Sequence, residues 1–235
     1  MPNICIIPAR GGSRRIPDKN IREFCGRPII HYSIEAAKQS GFFQRIIVSS
    51  DSEKIGAVAA RAGGVFLKRR ATLAGDDVPM AAVVIDVLNY YLAKGEPYEK
   101  VCMVYATAPF LTVPMIAEGY QKMAGVDVSF AVFKESARAE RQMVMLEGQL
   151  ISRHPEFDNV NSNYWPETYQ HAGLFFWADT AKLCEYRTLM LPRKAGVIVP
   201  SWACQDFDEP EDWEAAEIKY RVVQERRGPK AGEEE

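Results

Sequence analysis

The chain has 235 residues, of which 47% are hydrophobic, and 29 lysines and arginines against 31 aspartates and glutamates give a formal net charge of -2. This length and composition predict a globular protein with a substantial core. The balanced, interspersed charges argue against bulk binding of nucleic acid, and no apolar run approaches the roughly 18 residues that a membrane helix needs.

Five cysteines occur in the chain without a C-x-x-C pair. The first residues also lack the charged and apolar regions of a signal peptide. Both features favour reduced cysteines and predict a cytoplasmic protein.

Apolar runs alternate with helical patterns through the first 132 residues. The predicted strands span residues 3–7, 45–49, 65–67, 101–105 and 126–132. The predicted helices span residues 28–39, 50–63, 79–93 and 114–123, and Ser50-x-x-Glu53 matches a capping box at the start of the second. Because parallel strands need a crossover helix between them, this alternation predicts an α/β protein with a mostly parallel, doubly wound, Rossmann-like sheet.

The alternation breaks at about residues 133–170, where charged residues, prolines and scattered aromatics favour an insertion or small subdomain. The α/β pattern returns at residues 173–177, with a short helix at 180–186, a strand at 195–199 and a last helix at 210–225. Residues 226–235 contain a Gly-Pro pair and end in three glutamates, which predicts a flexible tail. One domain is therefore expected over residues 1–225.

The first strand is followed by a cationic, glycine-containing loop. Its sequence is Pro8-Ala9-Arg10-Gly11-Gly12-Ser13-Arg14-Arg15-Ile16-Pro17-Asp18-Lys19-Asn20. Ligands of open parallel sheets bind beyond the carboxyl ends of the strands, where backbone amides and cations can hold phosphate oxygens. A solvated loop without a ligand is the alternative, but the cation density and the position favour phosphate binding. Neither a Walker A motif nor G-x-G-x-x-G is present.

A pair of carboxylates occurs late in the chain, in Gln205-Asp206-Phe207-Asp208-Glu209-Pro210. Asp206 and Asp208 alternate along an extended segment, so both can face one side. Two such carboxylates suit Mg²⁺, which shares its remaining positions with substrate phosphates and water. Capping of the last helix is the alternative. The pairing, together with the loop, favours the metal.

Three other features of the sequence are further candidates for a ligand site. Asp51, after the second strand, fits a helix cap or a nucleotide site equally well. Asp76 lies in a loop with Arg69 nearby, which fits a solvated charge cluster or a site. Ala106 and Thr107 follow a buried strand, where small residues let a base or a sugar pack on the backbone. The three histidines do not show the spacing of metal ligands.

Four segments resemble the CMP-sugar synthetases, a family that includes CMP-sialic acid synthetase and its bacterial relatives. They are Ile6–Asn20, which resembles the family's opening signature; Ile46–Asp51; Arg69-x-x-x-Leu73-Ala74-x-Asp76; and Gln205–Asp212, which resembles Q-D-I-D-x-P-E-D. The segments at residues 105–111 and 169–177 are most similar to the pseudaminic acid cytidylyltransferase branch.

The resemblance implies a nucleotidyltransferase that couples CTP to an acidic nine-carbon sugar and works as a homodimer, with the insertion reaching towards the partner subunit. It implies catalytic roles for Arg10, Lys19, Asp206 and Asp208, with Mg²⁺ on the two aspartates. It places the sugar near Gln170, His171 and Gln205. It places the nucleotide at Pro8, Ala9, Arg10, Gly11, Gly12, Ser13, Arg14, Lys19, Asn20, Arg69, Asp76, Ala106 and Thr107.

The chain departs from this family pattern at three places. Arg70 stands where proline is usual, and Val78 follows Asp77 where the family is threonine-rich. His171 and Leu174 replace the Asp and Gln of a Y-x-D-A-G-Q pattern, which leaves open N-acetylneuraminic acid, legionaminic acid or Kdo as the sugar. A nucleotide-sugar glycosyltransferase and a non-catalytic nucleotide-binding regulator are the alternatives from other classes.

Overall fold

The computed structural model describes residues 2–135, 139–161, 165 and 167–227. The strands are β1 (Asn3–Pro8), β2 (Glu23–Phe24), β3 (Arg27–Pro28), β4 (Phe43–Ser50), β5 (Val65–Lys68), β6 (Lys100–Val104), β7 (Val128–Lys134), β8 (Met143–Leu146), β9 (Gln149–Ser152), β10 (Tyr169–Asp179) and β11 (Lys194–Ile198). The helices are α1 (Ile30–Ser40), α2 (Glu53–Arg61), α3 (Met80–Leu92), α4 (Val113–Lys122), α5 (Thr180–Tyr186) and α6 (Pro210–Arg227).

Seven of these strands form the central sheet, in the order β11-β7-β10-β6-β1-β4-β5. Neighbours pair in parallel except β10, which runs antiparallel between β6 and β7. The predicted α/β class with a mostly parallel sheet is confirmed. The antiparallel strand follows from the chain path, because the described residues between β7 and β10 contain no α-helix that could serve as a crossover.

Helices cover both faces of this sheet. On one face Ile34 of α1, Val58 of α2 and Ile116 of α4 belong to a single buried cluster with sheet residues. On the other face Leu88 of α3 and Leu183 of α5 belong to a second cluster. Strands covered on both sides read as continuous apolar runs, which is why β1 and β6 were predictable from sequence.

A third buried cluster lies at one end of the molecule and joins distant parts of the chain. It contains Ile16 of the loop after β1, Phe24 of β2, Phe207 and Trp213. The Phe24 ring packs edge-to-face on Phe207 and Trp213, with centroids 5.9 and 5.8 Å apart. The cluster therefore holds the cationic loop and the segment before α6 beside each other.

Two local predictions were wrong. Ser50 does not cap α2, because β4 continues through Ser50 and the cap is Ser52, whose Oγ accepts a hydrogen bond from the Ile55 amide at 3.4 Å. The helix expected from residue 28 begins at Ile30, since Pro28 pairs in the β2–β3 hairpin. Cys25 and Gly26, with φ of 46° and 89°, make its two-residue turn, where two positive φ angles are typical of a type I′ turn.

The stretch predicted as an insertion holds the β8–β9 hairpin, whose strands pair with each other and not with the central sheet. Residues 136–138, 162–164 and 166 of that stretch lie outside the described residues. Helix α6 continues two residues beyond the predicted boundary, to Arg227, and the rest of the predicted tail also lies outside them. Among the described residues, no helix is long and apolar enough to cross a membrane.

Candidate active site

A cleft of about 670 Å³ opens where β1, β4 and β6 end. Ten residues predicted from sequence for the nucleotide or the catalytic chemistry line it: Pro8, Arg10, Ser13, Arg14, Lys19, Asn20, Asp76, Ala106, Thr107 and Asp208, together with Arg69 on its floor. Its size is within the usual range for small-molecule sites, about 300–1,000 Å³. The sheet therefore brings together most of the predicted nucleotide-binding residues.

Hydrogen bonds to the main chain fix the shape of the cationic loop. The Ala9 amide donates to the carbonyl of Ser49 at 3.0 Å, and the Gly11 amide donates to Oδ1 of Asp51 at 2.8 Å. The buried Asn20 side chain donates to the Arg10 carbonyl at 2.9 Å. Asp51 therefore supports the loop and is not a helix cap. Ala9 is buried beneath the cleft, and neither it nor Gly11 or Gly12 lines the cleft.

The cations of the loop are paired with carboxylates of the same cleft. Arg10 and Arg14 both form ion pairs with Asp76, the latter at 2.9 Å. Arg15 contacts Oδ1 of Asp208 at 2.7 Å. Exposed ion pairs contribute only about 0–1 kcal/mol. These cations can therefore exchange their carboxylate partners for a polyanionic ligand at a low cost in free energy.

Two further cations are more buried. Lys19 donates to the carbonyl of Phe207 at 2.7 Å and lies 3.9 Å from Asp208, and burial lowers its pKa while the Asp208 charge opposes that shift. The Arg69 guanidinium donates to the carbonyl and the hydroxyl of Ser49, at 2.6 and 3.3 Å, and burial lowers its pKa. Arg69 therefore shapes the floor of the cleft and contributes a fixed positive charge there.

The late carboxylate pair has the predicted alternation. Phe207 points into the third cluster with 3% of its surface exposed, while Asp206 and Asp208 are exposed. The amide of Asp208 donates to Asp212 Oδ2 at 2.8 Å, as does that of Glu209 at 2.7 Å. Asp212 thus serves the start of α6, so the capping interpretation of the Asp206–Asp208 pair loses its support.

The two carboxylates can supply part of the ligand set of a magnesium site. Among the described residues, no three His, Cys, Asp or Glu side chains are placed to hold a metal ion by themselves. Mg²⁺ usually takes one or two protein carboxylates, with water and substrate phosphates completing its octahedron. Exposed, alternating Asp206 and Asp208 beside the cationic loop can supply that number of oxygen ligands.

The predicted sugar-side residues lie outside the nucleotide cleft. Burial raises the pKa of Tyr105 and lowers the pKa of His171, and the nearby charge of Asp206 raises both pKa values. The ring centroids of Tyr105 and His171 lie 5.6 Å apart. Gly173, with φ of 64°, lies at a bulge in β10, and a Cβ added there would lie 3.8 Å from Asp206 Oδ1. Gln170 is exposed on β10, and Gln205 is bound by Lys219.

Sequence reasoning missed several residues of the cleft. Apolar side chains after β5 and along α3 line one wall of it: Leu73, Val78, Met80 and Val83. Met80 and Val83 could not be recognised from sequence as cleft residues, because apolar residues of an amphipathic helix read as core. Lys219 was also missed, since its partner Gln205 lies 14 residues away in sequence on a different element.

The cytidylyltransferase family model matches residues 4–180, and the chain belongs to that family. It is 33% identical over 226 residues to the pseudaminic acid cytidylyltransferase of Campylobacter jejuni subsp. jejuni serotype O:2, which covers 94% of this chain and 97% of that relative.

Two other similarities extend over nearly the whole chain. The CMP-N,N'-diacetyllegionaminic acid synthase of Legionella pneumophila subsp. pneumophila is 30% identical over 231 residues, covering 94% of this chain and 97% of that relative. The solved structure of a CMP:2-keto-3-deoxy-manno-octonic acid synthetase complexed with CTP has a TM-score of 0.69 at 18% identity, covering 96% of this chain and 100% of that one. At that identity the match shows a shared fold. Membership in the cytidylyltransferase family argues against the glycosyltransferase alternative.

Replacement of Gly11 by alanine tests the geometry of the loop. A Cβ on Gly11 would lie 2.9 Å from Cβ of Ser52, the cap of α2, whereas a Cβ on Gly12 has no neighbour within 4 Å. We expect Gly11→Ala to lower the free energy of unfolding by about 1–3 kcal/mol, as overpacking does. Gly12→Ala is the control and is expected to leave stability unchanged. Urea denaturation measures both, and equal stabilities would contradict this packing.

Proposed function

We propose that the protein transfers the cytidylyl group of CTP to a nonulosonic sugar, giving a CMP-sugar and pyrophosphate. The observation that carries the proposal is the meeting of the cationic loop with the Asp206–Asp208 pair at the carboxyl edge of the sheet. A cleft that joins phosphate-binding cations to exposed carboxylates suits phosphoryl chemistry, and family membership supports CTP as the nucleotide.

The reaction needs positioning and charge neutralisation more than a covalent enzyme intermediate. A sugar hydroxyl oxygen forms a bond to the α-phosphorus, the bond from that phosphorus to the bridging oxygen breaks, and pyrophosphate leaves while the hydroxyl proton passes to solvent water. Arg10, Arg14, Arg15 and Lys19 exchange their carboxylate partners for phosphate oxygens and stabilise the leaving group. Charge-assisted hydrogen bonds of this kind are the strong ones.

Mg²⁺ is the proposed cofactor, held by Asp206 and Asp208. When bound, such an ion polarises phosphate oxygens and lowers the pKa of a coordinated hydroxyl group. The protein's own part is to keep the two carboxylates exposed, with Asp208 lining the cleft, which the burial of Phe207 between them achieves.

Pseudaminic acid is the sugar that we propose, on the strength of the 33% identity to the Campylobacter enzyme over almost the whole chain. A second, largely apolar cleft adjoins His171 and is lined by Phe130, Val132 and Ile198. Such a surface suits the acyl groups of an N-acylated sugar and offers little to an octonic acid without acyl groups. The cytoplasm is the proposed compartment, in agreement with five free thiols.

Pyrophosphate release with CTP and Mg²⁺ tests this function. The panel is pseudaminic acid, N,N'-diacetyllegionaminic acid, N-acetylneuraminic acid and Kdo, with release expected for pseudaminic acid. Asp206→Ala is expected to reduce the rate at least about 100-fold, since loss of a metal ligand exceeds the effect of an outer-shell change. Its circular dichroism should match the wild type.

Other outcomes of the panel separate the alternatives. Release with a different sugar would assign that sugar as the substrate and leave the proposed cytidylyl transfer unchanged. Absence of release with every sugar, from a folded protein that binds CTP, would favour the non-catalytic regulator. An Asp206→Ala variant with most of its activity would remove Asp206 from the metal site.

We further propose that the protein is a homodimer in which the β8–β9 hairpin contacts the partner. Met143, Met145 and Leu150 of this hairpin are 60–65% exposed. A two-stranded hairpin is at best marginally stable alone in water, so its apolar side chains call for a covering surface. A second copy of the chain is the occupant that we propose.

Charge substitution in the hairpin tests the dimer. Met145 and Leu150 lie opposite each other in the β8–β9 ladder, so the double change to lysine places two positive charges on one face. We expect this variant to shift the protein to a monomer in light scattering after size exclusion. Leu92→Lys, at a residue 59% exposed on α3, is the control and should leave the mass unchanged. Equal masses for all three proteins would contradict the proposal.

A further inference from the structure

Lys219 is a half-buried lysine near the middle of α6 that contacts the segment leading to the carboxylate pair. Its Nζ donates to Oε1 of Gln205 at 2.6 Å and to the carbonyl of Cys204 at 3.3 Å. It also lies 5.7 Å from the centroid of the Phe110 ring. One side chain of the last helix thus reaches the segment that begins two residues before Asp206.

The position of Lys219 has an energetic cost. Burial lowers the pKa of this ammonium group, since a charge loses hydration there. Both acceptors are uncharged amide oxygens, which offset that loss less than a carboxylate would. A helix residue needed for packing alone would be served better by leucine or methionine. The costly ammonium therefore points to a specific task in orienting its acceptors.

Gln205 connects Lys219 to the main chain of Asp206 through two hydrogen bonds. A lysine ammonium can only donate, so the Gln205 amide must turn its Oε1 towards Lys219 and its Nε2 away. Nε2 donates in turn to the main-chain carbonyl of Asp206 at 2.8 Å. The chain of contacts runs from the helix, through both ends of one amide, to the backbone of a predicted metal ligand.

We propose that Lys219 is a positioning residue, which acts through Gln205 to hold Asp206 in the geometry that binds the divalent cation. This inference rests on the proposed function, since it assumes metal ligation by Asp206. Outer-shell contacts that orient a ligand commonly change metal affinity by about 10–100-fold. It also gives Gln205 a second task beside the sugar contact predicted from sequence.

The test measures the metal's contribution to nucleotide binding without turnover. Calorimetry gives the dissociation constants of CTP in EDTA and of CTP with saturating Mn²⁺, and their ratio reports the protein–metal contacts. Lys219→Met is expected to lose about 10-fold of this ratio while CTP binding in EDTA stays unchanged. Lys219→Arg keeps a charged donor and should restore most of the ratio.

Two controls separate positioning from general damage. Lys122→Met removes another half-buried lysine that donates to a main-chain oxygen, that of Gly196 at 2.7 Å, and should leave the ratio unchanged. Gln205→Met breaks the same link from its other end, should reproduce the loss, and serves if Lys219→Met fails to fold. Because both act through one contact, the Lys219→Met/Gln205→Met pair should lose no more than Gln205→Met alone.

Asp206→Ala distinguishes the failure of this inference from the failure of the proposed function. If Asp206→Ala collapses the ratio and Lys219→Met keeps the wild-type value, Lys219 does not position the site and the inference is wrong. If Asp206→Ala also keeps the wild-type ratio, the metal assignment itself is wrong, and the role of Lys219 falls with it.

Discussion

The burial of Phe207 against Phe24 and Trp213 is the constraint on which the rest of the site depends. The residue has 3% of its surface exposed and lies between two exposed aspartates. Because neighbouring side chains of an extended segment alternate in direction, placing Phe207 inside forces Asp206 and Asp208 outside. Ile16 of the cationic loop belongs to the same cluster, so this one apolar cluster holds the cations of the loop beside the carboxylates.

The cations of the cleft form ion pairs with carboxylates that a polyanionic ligand could replace. Arg10 and Arg14 share Asp76, while Arg15 is paired with Asp208. A triphosphate, with about four negative charges, competes with these carboxylates for the same cations. When Arg15 turns to a phosphate, the Asp208 carboxylate becomes available to a cation. Nucleotide and metal binding are therefore expected to favour each other, and linkage makes that coupling reciprocal.

The parts of this arrangement that follow from local pattern could be predicted from sequence. β1 and β6 are continuous apolar runs, and the loop after β1 shows both its glycines and its cations in one stretch. The pair Asp206 and Asp208 could also be predicted, because both residues lie in one short stretch of sequence. Local signals also misled at the start of α2, since Ser50-x-x-Glu53 matches a capping box, whereas β4 continues through Ser50 and the cap is Ser52.

The parts that depend on long-range packing could not be predicted. The antiparallel direction of β10 depends on how the chain returns after the insertion, which no periodicity records. The contact of Lys219 with Gln205 joins a helix to an extended segment, and neither residue is unusual in its own surroundings. The sequence leaves Asp51 open between a helix cap and a nucleotide site, whereas in the structure it accepts a hydrogen bond from the Gly11 amide, 40 residues away.

We propose that the cationic loop and the carboxylate pair together form one cytidylyltransferase site. A crystal structure of the protein with CTP and Mn²⁺, with the metal located by its anomalous scattering, tests it most directly. The account predicts a manganese peak bound by Asp206 and Asp208 and by phosphate oxygens of CTP, with the triphosphate on Arg10, Arg15 and Lys19. A triphosphate bound elsewhere, or manganese away from both aspartates, would contradict it.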